Sequence, residues 1–402
     1  MPAIVTNKFR IHNAEQFKES FSESAPNVYY MMLGRPQAYA TSTRGDSRTE
    51  NEGTDAAPIT PADDIVTEFY QFDEAIAAKK LGSSDTSFVV PRRNWATGTV
   101  YDYYRHDYGN RITGTTNTQA ANSGATNLYD ATFYVVSSAY NVYKCLDNNS
   151  NANSTVEPTG TSTAILSTGD GYKWKYLYTL TASQQTNFLS TDFMGVATNS
   201  TVSSAAVDGA LEIVKVKTAG ASYDVSGGAT TGTITAVPIR GDGSSGVCSV
   251  TLASGAVSSV SVTTAGTGYT FAYIRSADIV AATNAGGNGS GAELDVIIPP
   301  KGGHGFNAVK EVGGFYVMMN VNFEGVETGS GSDVSAANDF RKIALVRDPK
   351  SAGSAATATT LRATKAVRFA ASPTPGTFAI DEEINQATTG AVGKVVEWDS
   401  VN

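Results

Sequence analysis

Three runs rich in aromatic and β-branched residues lie between residues 128 and 180, separated by clusters of Gly, Asn and Ser. In the last run Tyr172, Trp174, Tyr176 and Tyr178 occupy every second position. A period of two places alternate side chains on the same face of a strand. The pattern therefore predicts core strands in which these four rings share one face and pack against a second sheet or another chain.

The composition favours β structure throughout the chain. Charged residues make up 17% of the 402 residues, and there are 39 glycines. Few charges and many turn-forming residues are typical of all-β proteins, and this length allows about two or three domains. We predict a mainly β fold.

Several classes of protein are disfavoured. The net charge is −9, and the short pairs Lys79-Lys80 and Arg92-Arg93 do not form the basic stripe that nucleic acid requires. No apolar run approaches the ~20 residues of a membrane span, and no signal peptide is visible, which predicts synthesis in a cytoplasm. Cys145 and Cys248 lie far apart and are expected to be buried and unpaired.

Apolar periodicity and capping residues in the N-terminal quarter predict alternating strands and helices. We expect a strand over 3–10, a helix over 14–24 capped by Asn13, a strand over 28–35 and a second helix over 63–80 that begins at Asp63 or Asp64. Each helix carries an apolar stripe at helical spacing, made by Phe17 and Phe21 in the first and by Ile65, Phe69, Phe72 and Ile76 in the second. A stripe of this kind most often faces its own core.

Further strands are expected over 87–95, 314–323 and 340–347, with a hairpin between 378 and 398.

An aromatic and charged segment follows from Tyr101 to Tyr108. Aromatic faces of this kind can stack on sugars. Tyr and Arg are also enriched in interface cores, so a buried or interface strand is the preferred interpretation.

An internal repeat begins after residue 205. Residues 214–223 match residues 260–269 at an offset of 46 residues, and the same offset relates Gly241-Asp242-Gly243 to Gly287-Asn288-Gly289. One unit of this size cannot bury its apolar face alone, so the two units are expected to form one small β domain. Gly241 to Gly246 formally matches G-x-G-x-x-G, but the strand pattern that follows it favours a turn over a dinucleotide site.

Five segments in order carry a family resemblance: 5–10, 90–95, the stretch 128–180, 304–306 and 339–349. Together they resemble the baseplate wedge subunit of contractile-tailed bacteriophages, the dimeric type called gene product eight. The resemblance implies a multilayer antiparallel β-sandwich with two short helices. It further implies a homodimer, with helices seated in pockets made by both chains, that binds neighbouring wedge proteins and moves during tail contraction.

The resemblance also organises the chain. Residues 1–205 and 301–349 form the two parts of the wedge-like core, residues 206–300 are an insertion made of the two repeats, and residues 350–402 form a C-terminal β segment that we expect to end inside a domain. The implied location is the tail baseplate of the virion.

No pattern of catalytic or metal-binding residues is present in the sequence. His12, His106 and His304 are isolated from one another and from both cysteines. We predict no enzymatic activity, no cofactor and no metal. The alternative function is a receptor- or carbohydrate-binding tail module, based on the repeats and on the Tyr101–Tyr108 segment.

The predicted interface residues come from the helical stripes, from the Arg-Arg turn and from the aromatic segments. They are Phe17, Phe21, Phe69, Phe72, Arg92, Arg93, Trp95, Tyr101, Tyr103, Tyr104 and Trp174.

Overall fold

The fold was analysed in a computed structural model of the chain. The structure describes residues 5–24, 26–35, 53–54, 57–58, 75–109, 112–113, 116–117, 120–323, 340–357, 360, 376–379, 382–395 and 398. Among these residues the chain is mainly β, with several antiparallel sheets and few helices, and the predicted fold class is confirmed.

The helices are short apart from the first. They are α1 (Asn7–Glu19), α2 (Ala182–Asn187), α3 (Ser200–Ala205), α4 (Ser276–Val280) and α5 (Ala308–Val312), with 3-10 turns at Ser83–Asp85 and Leu128–Asp130.

The strands, in chain order, are β1 (Tyr29–Gly34), β2 (Gly53–Thr54), β3 (Ala57–Pro58), β4 (Ala75–Leu81), β5 (Thr86–Pro91), β6 (Ile112–Thr113), β7 (Thr116–Asn117), β8 (Tyr134–Val136), β9 (Asn141–Asp147), β10 (Leu166–Ser167), β11 (Lys173–Thr179), β12 (Phe193–Gly195), β13 (Ile213–Ala221), β14 (Gly232–Pro238), β15 (Arg240–Gly241), β16 (Val247–Ala253), β17 (Ala256–Thr264), β18 (Ala272–Tyr273), β19 (Ser290–Ile297), β20 (Tyr316–Met319), β21 (Lys342–Arg347), β22 (Lys350–Ser351), β23 (Ser354–Ala355), β24 (Glu383–Gln386) and β25 (Ala391–Lys394).

The chain divides into two compact units. The first contains Met1–Lys18 and Ser87–Met319, and the second contains Glu19–Thr86 and Asn320–Asn402. The domain boundaries predicted from the sequence remain a prediction.

A four-stranded sheet of order β10-β11-β9-β8 lies at the centre of the first unit, as the stretch 128–180 predicts. Both faces of this sheet are buried. One face contributes Val142, Leu146 and Leu177 to the main core, and the other contributes Tyr143, Cys145 and Trp174 to a smaller aromatic core. A second sheet of order β12-β5-β20 completes the layer around the main core.

The prediction that four rings share one face is wrong at Tyr178. Tyr172, Trp174 and Tyr176 lie in the aromatic core, whereas Tyr178 packs in the main core on the opposite side. The pairing of β11 with β9 shifts between Tyr176 and Tyr178, and this β-bulge reverses the alternation from that point.

Residues 206–300, which the sequence predicts to be an insertion and which we continue to call the insertion, consist of two interlocked repeats. β13 of the first repeat pairs with β19 of the second, and β17 of the second pairs with β16 of the first. The hydroxyl of Tyr223 accepts a hydrogen bond from Ala292 N at 3.2 Å, and the hydroxyl of Tyr269, 46 residues later, accepts one from Gly246 N at 3.1 Å. Because each repeat completes the sheet of the other, the two share one hydrophobic core that runs from Leu211 to Ile298.

Two glycines at matching places in the repeats adopt the left-handed conformation, Gly220 within β13 and Gly266 just after β17. Gly220 and Gly266 have φ of +65° and +66°, and a Cβ at Gly266 would stand 2.4 Å from Ser244 O. The predicted turn at Gly241–Gly246 is also observed, since it joins β15 to β16 without a helix.

The second unit contains a sheet of order β21-β1-β4 and the hairpin β24–β25. The predicted strands over 28–35 and 340–347 and the hairpin near the C-terminus are therefore confirmed.

Two predictions at the N-terminus are wrong. The segment expected to be a strand over 3–10 begins α1 instead, because Thr6 Oγ1 accepts the Phe9 amide and Thr6 O accepts the Arg10 amide. The first helix therefore starts before Asn13 and ends at Glu19, with Ile11 and Ala14 on its buried side. Phe21 lies beyond this helix, so it does not share a helical stripe with Phe17.

The expected second helix is wrong over residues 75–80. This Ala- and Lys-containing segment is β4, and Ile76 is 52% exposed on it. Pairing of β4 along the whole of β1 overrides the local helix propensity. The remainder of that prediction, including Ile65, Phe69 and Phe72, lies outside the described residues.

Candidate functional site

The Tyr101–Tyr108 segment lies inside the first unit, and the prediction that it is a strand is wrong, because residues 101–105 are irregular and 106–109 form a turn. Tyr101, Tyr104 and Tyr108 are 4%, 3% and 6% exposed. Their rings pack against Trp174, Phe133 and the main core, so they do not form an open platform. Asp102 N and Tyr101 N are held by Thr132 and Tyr172. The basis for a sugar platform at this segment is thereby removed.

The same segment joins the core to the insertion. Arg105 forms ion pairs with Asp107 at 2.9 Å and with Asp295 of β19 at 2.7 Å. His106 Nδ1 accepts the amide of Ile298 at 3.2 Å. We call the contact residues Tyr103, Arg105, His106, Asp147, Lys215, Asp295 and Ile298 the docking seam.

A second ion pair strengthens the docking seam on β13. Lys215 Nζ lies 2.6 Å from Asp147 Oδ1 and 5.1 Å from the centre of the Tyr103 ring. Burial alone would lower the pKa of Arg105, but its hydrogen bond to Asp107 and the charge of Asp295 raise that pKa, so the guanidinium stays charged. The seam thus holds the insertion through charged contacts that are largely shielded from water.

A buried ion cluster lies where the insertion leaves and re-enters the core. It consists of Lys144 on β9, Lys175 on β11, Glu212 before β13, His304 after β19 and Glu311 on α5. Lys144 donates to Glu311, and both side chains are almost fully buried. Lys175 Nζ lies 3.7 Å from Glu212, and Glu311 also accepts the Gly305 amide at 2.8 Å.

Burial shifts the protonation of this cluster. Desolvation lowers the pKa of Lys144, an effect that the Glu311 carboxylate opposes, and desolvation raises the pKa of Glu212. Desolvation, with Lys144 and Lys175 nearby, holds the pKa of His304 well below its usual range, so His304 is neutral. Glu212 Oε2 and His304 Nδ1 are buried without a hydrogen-bond partner among the described residues.

The predicted interface residues are dispersed in the structure. Trp174, Tyr101 and Tyr104 are buried in the cores of the first unit, and Tyr103 belongs to the docking seam. Arg92 donates to Asn94 and to Ser190 O, while Arg93 donates to Ala131 O and lies 4.5 Å from the Tyr134 ring centre. Trp95 donates to Ser154 Oγ at 3.1 Å.

The other candidates lie on or just after α1, or outside the residues that the structure describes. Phe17 is half-buried on α1, and Phe21 stacks on Tyr29 with ring centroids 4.5 Å apart. Phe69 and Phe72 lie outside the described residues. An interface role for any of these residues remains a prediction.

Sequence reasoning missed the buried ion cluster, although one signal was visible. Lys144 interrupts the apolar run Val142 to Leu146, and a lysine in a buried strand requires a buried partner. That partner, Glu311, lies 167 residues away, and the sequence did not identify it.

The cysteines are buried and unpaired, as predicted. Burial raises the pKa of Cys248 to about 12. In the described part of the chain no group of three or more His, Cys, Asp or Glu residues is placed to bind a metal ion. No described helix has both the length and the apolar character needed to cross a bilayer.

Part of the chain matches a known protein family. Residues 3–157 match the family model of gene product eight of bacteriophage T4 (Phage-Gp8). This part of the chain is gene product eight-like. The predicted resemblance is confirmed over this range, where it supports a baseplate subunit of the gene product eight type; the segments expected at 304–306 and 339–349 lie outside the match.

The matched range contains α1, β5, β8 and β9, and it includes the Tyr101–Tyr108 segment of the docking seam. The insertion lies outside it. No curated protein matches the chain.

Proposed function

We propose that this gene product eight-like chain is a structural subunit of a phage tail baseplate wedge. In this role it associates as a homodimer, binds neighbouring wedge proteins and moves with them when the tail contracts. The family match over residues 3–157 is the observation that carries the proposal. The role is mechanical and non-enzymatic, and the location is the virion baseplate after synthesis in the host cytoplasm.

The docking seam and the buried ion cluster support movement as a rigid body. The core and the insertion share ion pairs at Arg105, Lys215 and Lys175, and every side chain in these pairs is at most 21% exposed. Ile213 and Ile297, at the base of the insertion, are part of the main hydrophobic core. Force applied to the insertion is therefore transmitted to the core through a packed joint instead of a loose linker.

Exposed aromatics near α1 offer a surface for self-association. Phe9 is 52% exposed on α1 and Tyr316 is 41% exposed on β20. Arg10, next to Phe9, places its guanidinium carbon 3.8 Å from the Phe315 ring centre and 5.8 Å from that of Tyr316. Aromatic side chains and arginine are the groups that dominate interface energetics. We call Phe9, Arg10, Phe315 and Tyr316 the α1 surface.

Sedimentation equilibrium on the full chain tests this proposal. The chain has a mass of 42.0 kDa, and we expect twice this mass at micromolar concentration. The double variant Phe9→Ser/Tyr316→Ser is expected to weaken association by roughly tenfold or more, since hot-spot truncations cost more than ~1 kcal/mol each.

Phe306→Ser is the matched control, because Phe306 is 51% exposed but lies outside the α1 surface. A dimer that is insensitive to the double variant places the interface elsewhere. A wild-type chain that stays monomeric contradicts the homodimer.

A further inference from the structure

The insertion carries a pair of exposed aromatic rings on one edge. Phe271 is 55% exposed and Tyr273 is 45% exposed. Their rings are almost parallel, with 8° between the planes and 6.5 Å between the centroids. The two residues are separated by one position, so both side chains leave the same side of the chain at β18.

The backbone under these rings is held in place. β18 pairs with β15, which sets Tyr273 opposite Arg240. Asp242 accepts the amides of Thr270 at 2.9 Å and Phe271 at 3.1 Å. The rings are therefore presented by a fixed ribbon.

Two arginines lie on the same ribbon as the rings, Arg240 opposite Tyr273 and Arg275 two positions after it. Arg240 donates through Nε and Nη2 to the carboxylate of Asp278 at 2.8 and 2.7 Å, and Arg275 donates through the same atoms at 3.1 Å. Asp278 is 5% exposed, while the two arginine side chains are 42% and 53% exposed. Among the described residues Nη1 of each arginine makes no hydrogen bond, so both can donate to a ligand.

These features occur in only one of the two repeats. The equivalent positions, 46 residues away along the chain, hold small or aliphatic residues in the other repeat. Phe271, Tyr273, Arg275 and Arg240 correspond to Val225, Gly227, Ala229 and Gly286. Both repeats nevertheless make the same strand pairing and the same tyrosine contacts. The exchange of strands between the repeats therefore does not require the aromatic and arginine side chains, although the two arginines also hold Asp278 of α4, a helix found in this repeat.

An open groove of about 490 Å³ extends from Arg275 along β19, and its lining is partly polar and partly apolar. Its polar lining residues include positively and negatively charged side chains. They are Lys217, Arg275, Ser276, Glu293 and Asp295. Mixed polar walls next to flat apolar faces fit a ligand that is both apolar on its faces and rich in hydroxyls at its rim.

We propose that Phe271, Tyr273, Arg240, Arg275 and the adjoining groove form a binding site for a pyranose oligosaccharide. The C–H faces of the sugar rings stack on the negatively polarised faces of Phe271 and Tyr273. Its hydroxyl groups accept from the free Nη1 atoms and hydrogen-bond to the groove. Acidic residues in the groove and the net charge of −9 disfavour nucleic acid as the occupant.

Saturation-transfer NMR on the full chain tests this site. The probes are cellopentaose, maltohexaose, chitopentaose and tetragalacturonate, which cover β-linked, α-linked, N-acetylated and acidic pyranoses. We expect transfer to the ring protons of at least one probe. In Phe271→Ala/Tyr273→Ala the affinity for that probe is expected to fall by roughly tenfold, since two ring contacts are lost.

Phe306→Ala is the control, as an equally exposed phenylalanine outside the insertion, and circular dichroism checks that each variant is folded. A response to tetragalacturonate alone, lost in Arg240→Gln/Arg275→Gln, assigns the site to acidic sugars. The proposal is overturned if no probe binds, or if the binding persists in the Phe271→Ala/Tyr273→Ala variant. It is also overturned if this variant leaves sugar binding unchanged but abolishes binding to a purified wedge protein, since the patch is then a protein contact. Sedimentation of the same samples reports on self-association separately.

Discussion

Replacing Lys144 by methionine tests the buried ion cluster. The side chains of Lys144 and Glu311 are 0% and 2% exposed. Lys144→Met leaves the Glu311 carboxylate buried without its cation, and breaking a buried pair from one side costs about 3–5 kcal/mol. The exposed pair Lys217–Glu293, at 52% and 59% exposure, provides the control. Lys217→Met is expected to cost less than about 1 kcal/mol.

Urea unfolding at pH 7.5, followed by tryptophan fluorescence, measures both costs. Trp95 and Trp174 lie in the first unit and report on its unfolding. Adding Glu311→Gln to Lys144→Met removes the unpaired charge, while the amide oxygen can still accept the Gly305 amide. The double variant is therefore expected to recover a large part of the loss. If Lys144→Met costs no more than Lys217→Met, or if the double variant is the less stable of the two, the assignment of this pair is refuted.

Two further predictions concern pH and the interlocked repeats. His304 is neutral when folded but titrates near pH 6.5 when unfolded, so acid favours the unfolded state. Between pH 7.5 and 5.5 the free energy of unfolding of the wild type should therefore fall by about 1.4 kcal/mol more than that of His304→Phe. An equal fall in both proteins, measured by urea unfolding at the two pH values, would contradict this. Tyr269→Phe leaves the Gly246 amide and the Ile239 carbonyl without their hydroxyl partner, which should lower the free energy of unfolding by about 1–3 kcal/mol. Tyr273→Phe, on the exposed edge, should leave the free energy of unfolding almost unchanged. Equal thermal midpoints for the two variants would argue against the shared tyrosine contacts.

Short-range patterns in the sequence predicted many of the strands. The aromatic runs of residues 128–180 gave β8, β9 and β11, because dense apolar residues in a strand must be buried whatever surrounds them. The offset of 46 residues gave the two repeats and their common core. It did not give the exchange of partner strands between them, since pairing within a repeat fits the same sequence pattern.

The errors arise where distant contacts decide the local structure. Residues 75–80 have helix-forming composition, yet pairing with β1 makes them a strand. The bulge at Tyr176–Tyr178 places the Tyr178 ring in the opposite core, although the aromatic residues continue to alternate in the sequence through this position.

The candidate site was predicted only in part. The Tyr101–Tyr108 segment was expected to be a buried or interface strand. It is largely buried but forms no strand, and three of its residues contribute to the seam between the core and the insertion. The ion pairs of this seam join residues that are distant in the sequence: Asp147 and Lys215 are 68 positions apart, and Arg105 pairs with Asp295 on β19. Local spacing carries no information about such pairs.

Cryo-electron microscopy of virions that contain this chain tests the central claim most directly. The account predicts the chain in the baseplate, in pairs, with its insertion fixed on the core in the same orientation before and after contraction of the tail. Single copies, a position outside the baseplate, or an insertion that turns relative to the core during contraction would contradict it.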